Sequence, residues 1–454
     1  MNILLISPPI FDFYSTPHRR EPLGLLYQQA ALQKAGHTTD LYDAGASRTV
    51  KRQKAPSELE YLSEFYHLDK SLFALHRGYK RFGDSFNKII AYIQAHSFDL
   101  IGISSLFTAY HPDVERLIIE IKKVTKVPIV VGGSAVDAEK EFVAIHTNAD
   151  FLIYGGSTAP IVALADALSS AVGANGIRPL SIPALIYKKD GKIIINKSDD
   201  SPPWAGDIMP IRHHFRLFKK MRVASVVFST GCRFSCSFCS IHRIRKHHIK
   251  PLSMIRRELQ MLFDNGATLI DIEDDDIFSD KNQAVELLNL LTEFHKKGLS
   301  FSAFNGLTAR TIEPFAEQLV DAGFIKFDLA LVSASAVVSR DANRPHGLKE
   351  IESIIHKVGS KIEIEVFIIP GLPRNSIEET EKAMDVLHKM GVKVGLSPLY
   401  LLPGIPQFEQ MGIPEKRRLC RGSALYPFTS EKRTNIIALM QTSAQWAHSD
   451  FNLT

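Results

Sequence analysis

Two stretches of the chain alternate short apolar runs with amphipathic segments, and a polar, proline-marked stretch separates them. In the first, residues 2–6 (NILLI) predict a buried strand. Residues 23–35 predict a helix that stops at Gly36, a residue suited to a helix C-terminus. Further strands are predicted at 37–42, 99–104, 127–131 and 150–154, with helices over about 112–124, 137–147 and 159–170. Strands alternating with helices predict a parallel, doubly wound sheet, which takes ligands outside the carboxyl ends of its strands. Two of those ends carry Gly132-Gly133 and Gly155-Gly156, which taken alone read as tight turns. Residues 45–97 are polar, aromatic-rich and poorly patterned, and predict a helical insertion.

Residues 171–222 break the rhythm. Segments 184–187 and 192–196 flank Lys189-Asp190-Gly191, a hairpin signal, and Ser201-Pro202-Pro203 and Met209-Pro210 mark an extended linker. Alternation restarts at Val223, with strands predicted at 223–229, 268–273, 299–304, 325–331, 363–369 and 393–399. Successive starts leave room for a crossover helix each time. Six such units predict a partial (βα)6 barrel with its chemistry on the loops after the strands. The expected division is 1–174 as a Rossmann-like α/β domain, 175–222 as hairpin and linker, 223–410 as the barrel and 411–454 as a tail with one helix.

Composition narrows the class. The 454 residues are 45% hydrophobic and 23% charged, which excludes a disordered or low-complexity chain. No apolar run approaches the ~20 residues of a membrane-spanning helix, and the start lacks the basic region of a signal peptide. A net charge of +5 over this length gives no reason to expect nucleic acid. The expected compartment is the cytoplasm.

Cysteine usage changes the picture most. There are four, and Cys232, Cys236 and Cys239 fall within eight residues, with Cys420 far downstream. A secreted disulfide framework spreads its cysteines, so this cluster belongs to a metal or iron–sulfur site. The loop after the first barrel strand reads Cys-x-x-x-Cys-x-x-Cys, with Phe238 before the third cysteine. Three thiolates on one loop can hold three irons of a four-iron cubane and leave the fourth open to an external chelator. The competing reading is a zinc knuckle with His242, His247 or Cys420 as fourth ligand, although no second pair of ligands stands at suitable spacing.

This loop resembles the cluster motif of the radical S-adenosylmethionine superfamily. The resemblance implies a [4Fe-4S] cluster held by Cys232, Cys236 and Cys239. It also implies S-adenosylmethionine chelated to the open iron and cleaved by one electron to a 5′-deoxyadenosyl radical. Phe238 would pack beside the adenine. The acidic segment 273–278, with Asp274 and Asp275, resembles the part of these enzymes near the methionine end of the cofactor. Segments 340–346, 370–373 and 398–406 match the group in their order. Leu331-Val332-Ser333 stands where the group usually has a Glu-Ser segment, so Ser333 is the candidate for the ribose.

The layout of a doubly wound domain followed by the barrel resembles the subgroup with an N-terminal cobalamin-binding domain. By that resemblance Gly132, Gly133 and Gly155 belong to the cobalamin crevice. The chain departs from the group at Gly155-Gly156-Ser157-Thr158, where an acidic Gly-Glu turn is usual, and it has no Asp-x-His-x-x-Gly. The implied activity is methylation of an unactivated carbon in a small-molecule or peptide substrate. The electron would come from a donor such as flavodoxin or ferredoxin. Two alternatives stand beside it: a radical cyclisation or rearrangement without cobalamin, and a non-catalytic cluster- or cobalamin-binding regulator. The basic run 242–250 (HRIRKHHIK) reads either as a contact for an anionic partner or as a solvated face.

Overall fold

The computed structural model describes residues 1–13, 21–67, 77–170, 181–210, 212, 215–218, 220–344, 347–409 and 414–449. Of the segment 340–346, residues 345–346 lie outside this set. The chain divides into two compact units.

Among the described residues the first unit holds ten strands: β1 (Asn2–Ser7), β2 (Ile10–Asp12), β3 (Thr38–Asp43), β4 (Val50–Arg52), β5 (Lys80–Phe82), β6 (Leu100–Ser104), β7 (Ile129–Gly132), β8 (Phe151–Ile153), β9 (Leu185–Lys189) and β10 (Lys192–Ile195). Seven of them form one sheet in the order β10-β9-β8-β7-β6-β1-β3. Its five strands from β3 to β8 are parallel, and β9 and β10 are antiparallel. The order reverses between β1 and β6, which is the switch point where such sheets bind ligands. β1 and its neighbour β6 are apolar without alternation because helices cover both faces, whereas β3 at the sheet edge is polar and only partly buried. Ile3 and Leu5 pack to one side, and Leu4 and Ile6 to the other.

Two expectations change here. The hairpin 185–195, placed in a linker by its turn signal, extends the edge of this sheet, as β8 pairs with β9. Its buried Leu185, Ile186 and Tyr187 explain the pairing, since an isolated hairpin would leave them in water. The insertion 45–97 is only partly helical. β4 and β5 join β2 in a small antiparallel sheet, with the 3₁₀ segment Ser57–Phe65 between β4 and β5 and the regular helix Phe86–Ala95 after them.

The second unit begins with β11 (Arg216–Phe218) and β12 (Met221–Val226), an antiparallel pair. A two-residue pair follows, β13 (Ser229–Thr230) with β14 (His248–Ile249). Then come β15 (Leu269–Ile272), β16 (Ser300–Ser302), β17 (Lys326–Val332), β18 (Glu363–Ile368) and β19 (Lys393–Leu396). β12, β15 and β16 are parallel neighbours, as are β17, β18 and β19. Parallel bridges Phe301–Phe324 and Leu307–Leu329 join the two groups, giving the six-stranded partial barrel expected from the spacing. Its core runs from Ala224 and Ile270 through Phe301 and Phe327 to Val366 and Leu396.

Candidate functional site

The cysteine loop is a bulge inside a β-hairpin. β13 and β14 pair Ser229 with Ile249 and Thr230 with His248, so everything between them, the cysteines and most of the basic run, is one excursion from the end of the first barrel strand. Gly231 turns the chain into it at φ +69°, and a Cβ there would lie 2.5 Å from the Lys246 carbonyl oxygen. The backbone of the basic run therefore lies against the start of the cysteine loop. The run is partly structural. Lys250 is buried in an ion pair with Glu258 at 2.7 Å, and its amide bonds the Phe228 carbonyl, while Arg243 and Lys246 are exposed.

Three donors surround the thiols. The Phe234 amide points at Cys232 Sγ, the Arg344 guanidinium at Cys236 Sγ, both at 3.4 Å, and the Ile241 amide bonds Cys239. Burial pushes the Cys232 thiol up to about 12 and raises Cys239 as well. Such thiols become thiolates by binding metal, which releases their protons. Among the described residues, no three His, Cys, Asp or Glu side chains converge as a single metal ion requires. A cubane gives each thiolate its own iron, so the three-cysteine set fits it without that convergence. Cys420 is buried in a segment of the first unit.

The acidic segment after β15 sorts into unlike roles. Asp274, fully buried, accepts from the Phe228 amide at 2.8 Å and from Ser229 Oγ at 2.5 Å. It thus ties the end of the second barrel strand to the root of the cysteine hairpin. Burial raises its carboxyl to about 7, against those two bonds and the charge of Lys250. Asp275 is exposed. Asp276 is 5% exposed, and among the described residues neither of its carboxylate oxygens has a hydrogen-bond partner. Its charge acts on Cys232, and its backbone bonds the His247 ring. Asp274, Asp276, Gly306 and Thr308 line one small cleft.

Arg344 reaches that cleft from the segment after β17. It donates to Thr308 Oγ1 at 2.9 Å as well as to Cys236, and it lies over the Phe234 ring. Its neighbour Asn343 bonds the Ser235 carbonyl at 3.0 Å. Val332, at the end of β17, has φ +69°, a conformation a β-branched residue adopts only when its surroundings impose it. Ser333 follows it, buried, with its hydroxyl accepting from the Ser335 amide at 3.1 Å. Phe238 is half-buried. Asp276 and Arg344 were not singled out from the sequence. Nothing in three consecutive aspartates says which one turns inward, and Arg344 is distant in the chain from the thiol it meets.

In the first unit the turns after β6, β7 and β8 meet. The Ser105 amide bonds the Gly132 carbonyl at 2.7 Å, and the Ala135 amide bonds the Ser105 carbonyl at 3.1 Å. Asp137 accepts from the Gly155 amide at 2.7 Å. A Cβ on Gly133, at φ +115°, would lie 2.6 Å from the Ser105 carbonyl oxygen, and one on Gly155 would meet Ser198 Oγ at 2.7 Å. Gly133 is thus required by the packing of the turns themselves, and Gly155 chiefly by its φ of +89°. Gly156, at φ +79°, faces open space. Leu106 and Phe107 stand about half exposed beside these turns. Exposed apolar side chains next to open backbone and the hydroxyls of Ser104 and Ser134 suit a large, flat ligand with amide substituents.

Residues 226–387 match the radical SAM superfamily, and residues 80–165 match the B12 binding domain. The chain carries a radical SAM domain and a B12-binding domain. It is 21% identical over 439 residues to cytidylyl-2-hydroxyethylphosphonate methyltransferase of Streptomyces wedmorensis, across 86% of this chain and 77% of that one. Among solved structures it resembles TsrM, a radical S-adenosylmethionine methyltransferase from Kitasatospora setae determined with cobalamin and a [4Fe-4S] cluster bound. The TM-score is 0.69 at 16% identity, over 90% of this chain and 77% of that one. It also resembles OxsB, a cobalamin-dependent S-adenosylmethionine radical enzyme, with a TM-score of 0.62 at 13% identity, over 95% of this chain and 56% of that one. The cysteine hairpin lies within the radical SAM match, and the three meeting turns within the B12-binding match. The two domains imply a [4Fe-4S] cluster, S-adenosylmethionine and cobalamin as cofactors. No helix among the described residues is long and apolar enough to cross a membrane.

Proposed function

We propose that this protein is a cobalamin-dependent radical SAM methyltransferase acting on an unactivated carbon of a small molecule. The cofactors together supply reductive cleavage of S-adenosylmethionine to a carbon radical and a transferable methyl group. The chain's residues bind and orient them. Cys232, Cys236 and Cys239 hold the cluster, and the amides of Phe234 and Ile241 stabilise the charge on the sulfurs. The observation that carries the reading is that Asp276 and Arg344, opposite in charge, both stand beside the thiols. One is a buried carboxylate with neither oxygen hydrogen-bonded among the described residues, the other a guanidinium bonded to Thr308 at the rim of the same cleft. An amino acid end, with one ammonium and one carboxylate, needs that pair of charges next to an open iron. Asp274 keeps the hairpin in register with the acidic segment, and the exposed Asp275 is assigned to the cofactor's edge. Ser333 and Phe238 are assigned to the ribose and adenine. Gly132, Gly133 and Gly155 shape the turns on which cobalamin rests, with Leu106 and Phe107 against the macrocycle. We place the reaction in the cytoplasm, with a flavodoxin or ferredoxin as electron donor.

The test is anaerobic turnover of protein reconstituted with iron, sulfide and cobalamin, given S-adenosylmethionine and a reductant. Methyl transfer with radical formation predicts both S-adenosylhomocysteine and 5′-deoxyadenosine. If protein that cannot be loaded with cobalamin still forms 5′-deoxyadenosine, the methyltransferase reading fails and a cyclisation or rearrangement takes its place.

A further inference from the structure

The segment Phe408–Ser423 follows the barrel in sequence yet folds into the first unit. Its described part, from the short helix Pro414–Leu419 to Ser423, seats three buried arginines on three carboxylates of that unit. Arg421 lies 3.3 Å from Asp12 and also donates to the carbonyls of Phe11 and Ala109, while Ser423 Oγ donates to Asp12 at 2.6 Å. Arg418 pairs with Asp113 at 2.7 Å. Arg417 forks onto Glu139, with Nε to Oε2 at 2.9 Å, and stacks on the Phe142 ring.

The three carboxylates are not scattered. Asp12 lies on β2, just after β1. Asp113 is in the helix after β6 (His111–Val124), and Glu139 in the helix after β7 (Ser134–His146). Asp12 and Asp113 follow the two strands of the switch point, and Glu139 follows the next strand, β7. Charges buried this deeply are tolerable only when paired, so the segment is held firmly in place.

Glu139 is also where the helix Ser134–His146 breaks, with φ −142° and ψ 44° inside an otherwise helical run. The turn ahead of the break begins at Gly133, and its Asp137 accepts the Gly155 amide. The grip of Arg417 on Glu139 therefore lies two residues from the side chain that fixes the Gly155 turn. We propose that the segment 414–423 is a latch for the B12-binding turns. In this proposal the Arg417–Glu139 pair sets the break in the helix, and so holds the Gly133 and Gly155 turns in the form that takes cobalamin. Arg417 and Glu139 are positioning residues, acting through Asp137. The inference rests on the cobalamin reading and ties Glu139, within the matched B12-binding domain, to Arg417, which lies outside both matches.

The experiment uses full-length protein: wild type, Arg417→Gln, Glu139→Gln and the exchanged pair Arg417→Glu with Glu139→Arg. Cobalamin is titrated by absorbance, iron content is measured, and amide hydrogen exchange is followed by peptide. Each single variant is expected to weaken cobalamin binding about tenfold, a usual size for coupling between sites. Exchange should quicken in peptides covering 134–138 and 155–157, with β3 and the iron content unchanged, and the exchanged pair should recover part of both effects. If the Gln variants do not fold, Arg417→Lys, which keeps the charge and loses the fork, is expected to give the same pattern at smaller amplitude. Binding equal to wild type in the single variants overturns the latch, and so does faster exchange spread evenly through β1 and β3. Wild-type protein that takes up no cobalamin overturns the cobalamin reading instead. The exchange data then decide alone: faster exchange at 155–157 upholds the coupling, and unchanged exchange overturns it.

Discussion

In the cysteine hairpin all three proposed metal donors lie within eight residues, and the fold's contribution is to bracket and desolvate them. At the end of the first sheet no such cluster exists among the described residues. The turns that meet there come from β6, β7 and β8, and the segment that braces them comes from beyond residue 408. The hairpin works through side chains, whose identity is written locally. The sheet end works through backbone and close approach, which depend on what other parts of the chain stand nearby. The two regions should therefore respond differently to substitution: the hairpin through loss of a bound group, the sheet end through loss of shape.

The largest effect tests the hairpin. Changing Cys232, Cys236 and Cys239 together to Ala should reduce the iron of reconstituted protein from about four per chain to none, with loss of the thiolate-to-iron absorbance. Cys420→Ala should keep the full complement, and iron retained in the triple variant would refute the assignment.

Next in size is the sheet end. Gly133→Ala places a methyl group against the Ser105 carbonyl in a left-handed conformation, and should cost the first unit about 1–3 kcal/mol in chemical denaturation. Gly156→Ala has the same sign of φ but open space, and should cost only about 1 kcal/mol. Equal losses at the two would mean that conformation alone, and not the contact with Ser105, makes Gly133 necessary.

Arg344→Gln probes the hairpin's second partner. It should weaken S-adenosylmethionine binding about tenfold, the loss of one charged contact, and leave iron content intact. Iron lost along with binding would make Arg344 a support of the cluster rather than a cofactor contact.

The smallest effect is a pH dependence at Asp274. Its carboxyl is raised in the folded protein from an ordinary 3.8 to about 7. Between these values the folded state holds a proton that the unfolded chain has released, so this group's contribution to stability falls as pH rises from about 4 to 7. Asp274→Asn should flatten that slope. The gap between wild type and variant should be constant above about pH 8 and change below it. An unchanged slope in the variant would show that Asp274 is not the titrating group.

The sequence by itself determined the six barrel units, and it supplied the three cysteines proposed here as cluster ligands. Apolar periodicity is imposed by local burial, and the cysteine spacing is imposed by one loop around one cluster. Both are short-range, so a linear reading retains them. Tertiary structure decided which carboxylate counts. Asp274 is consumed by Phe228 and Ser229, Asp275 faces water, and Asp276 is left unpartnered in the cleft with Arg344 nearby, a sorting that depends on what stands around each of three identical neighbours. It also decided that the hairpin after β8 completes the first sheet, because its apolar face finds cover only there. The return of Arg417, Arg418 and Arg421 to Asp12, Asp113 and Glu139 is the extreme case. Each ion pair joins residues at least 278 positions apart. Charge attraction is blind to sequence distance, and only the folded chain brings those partners together.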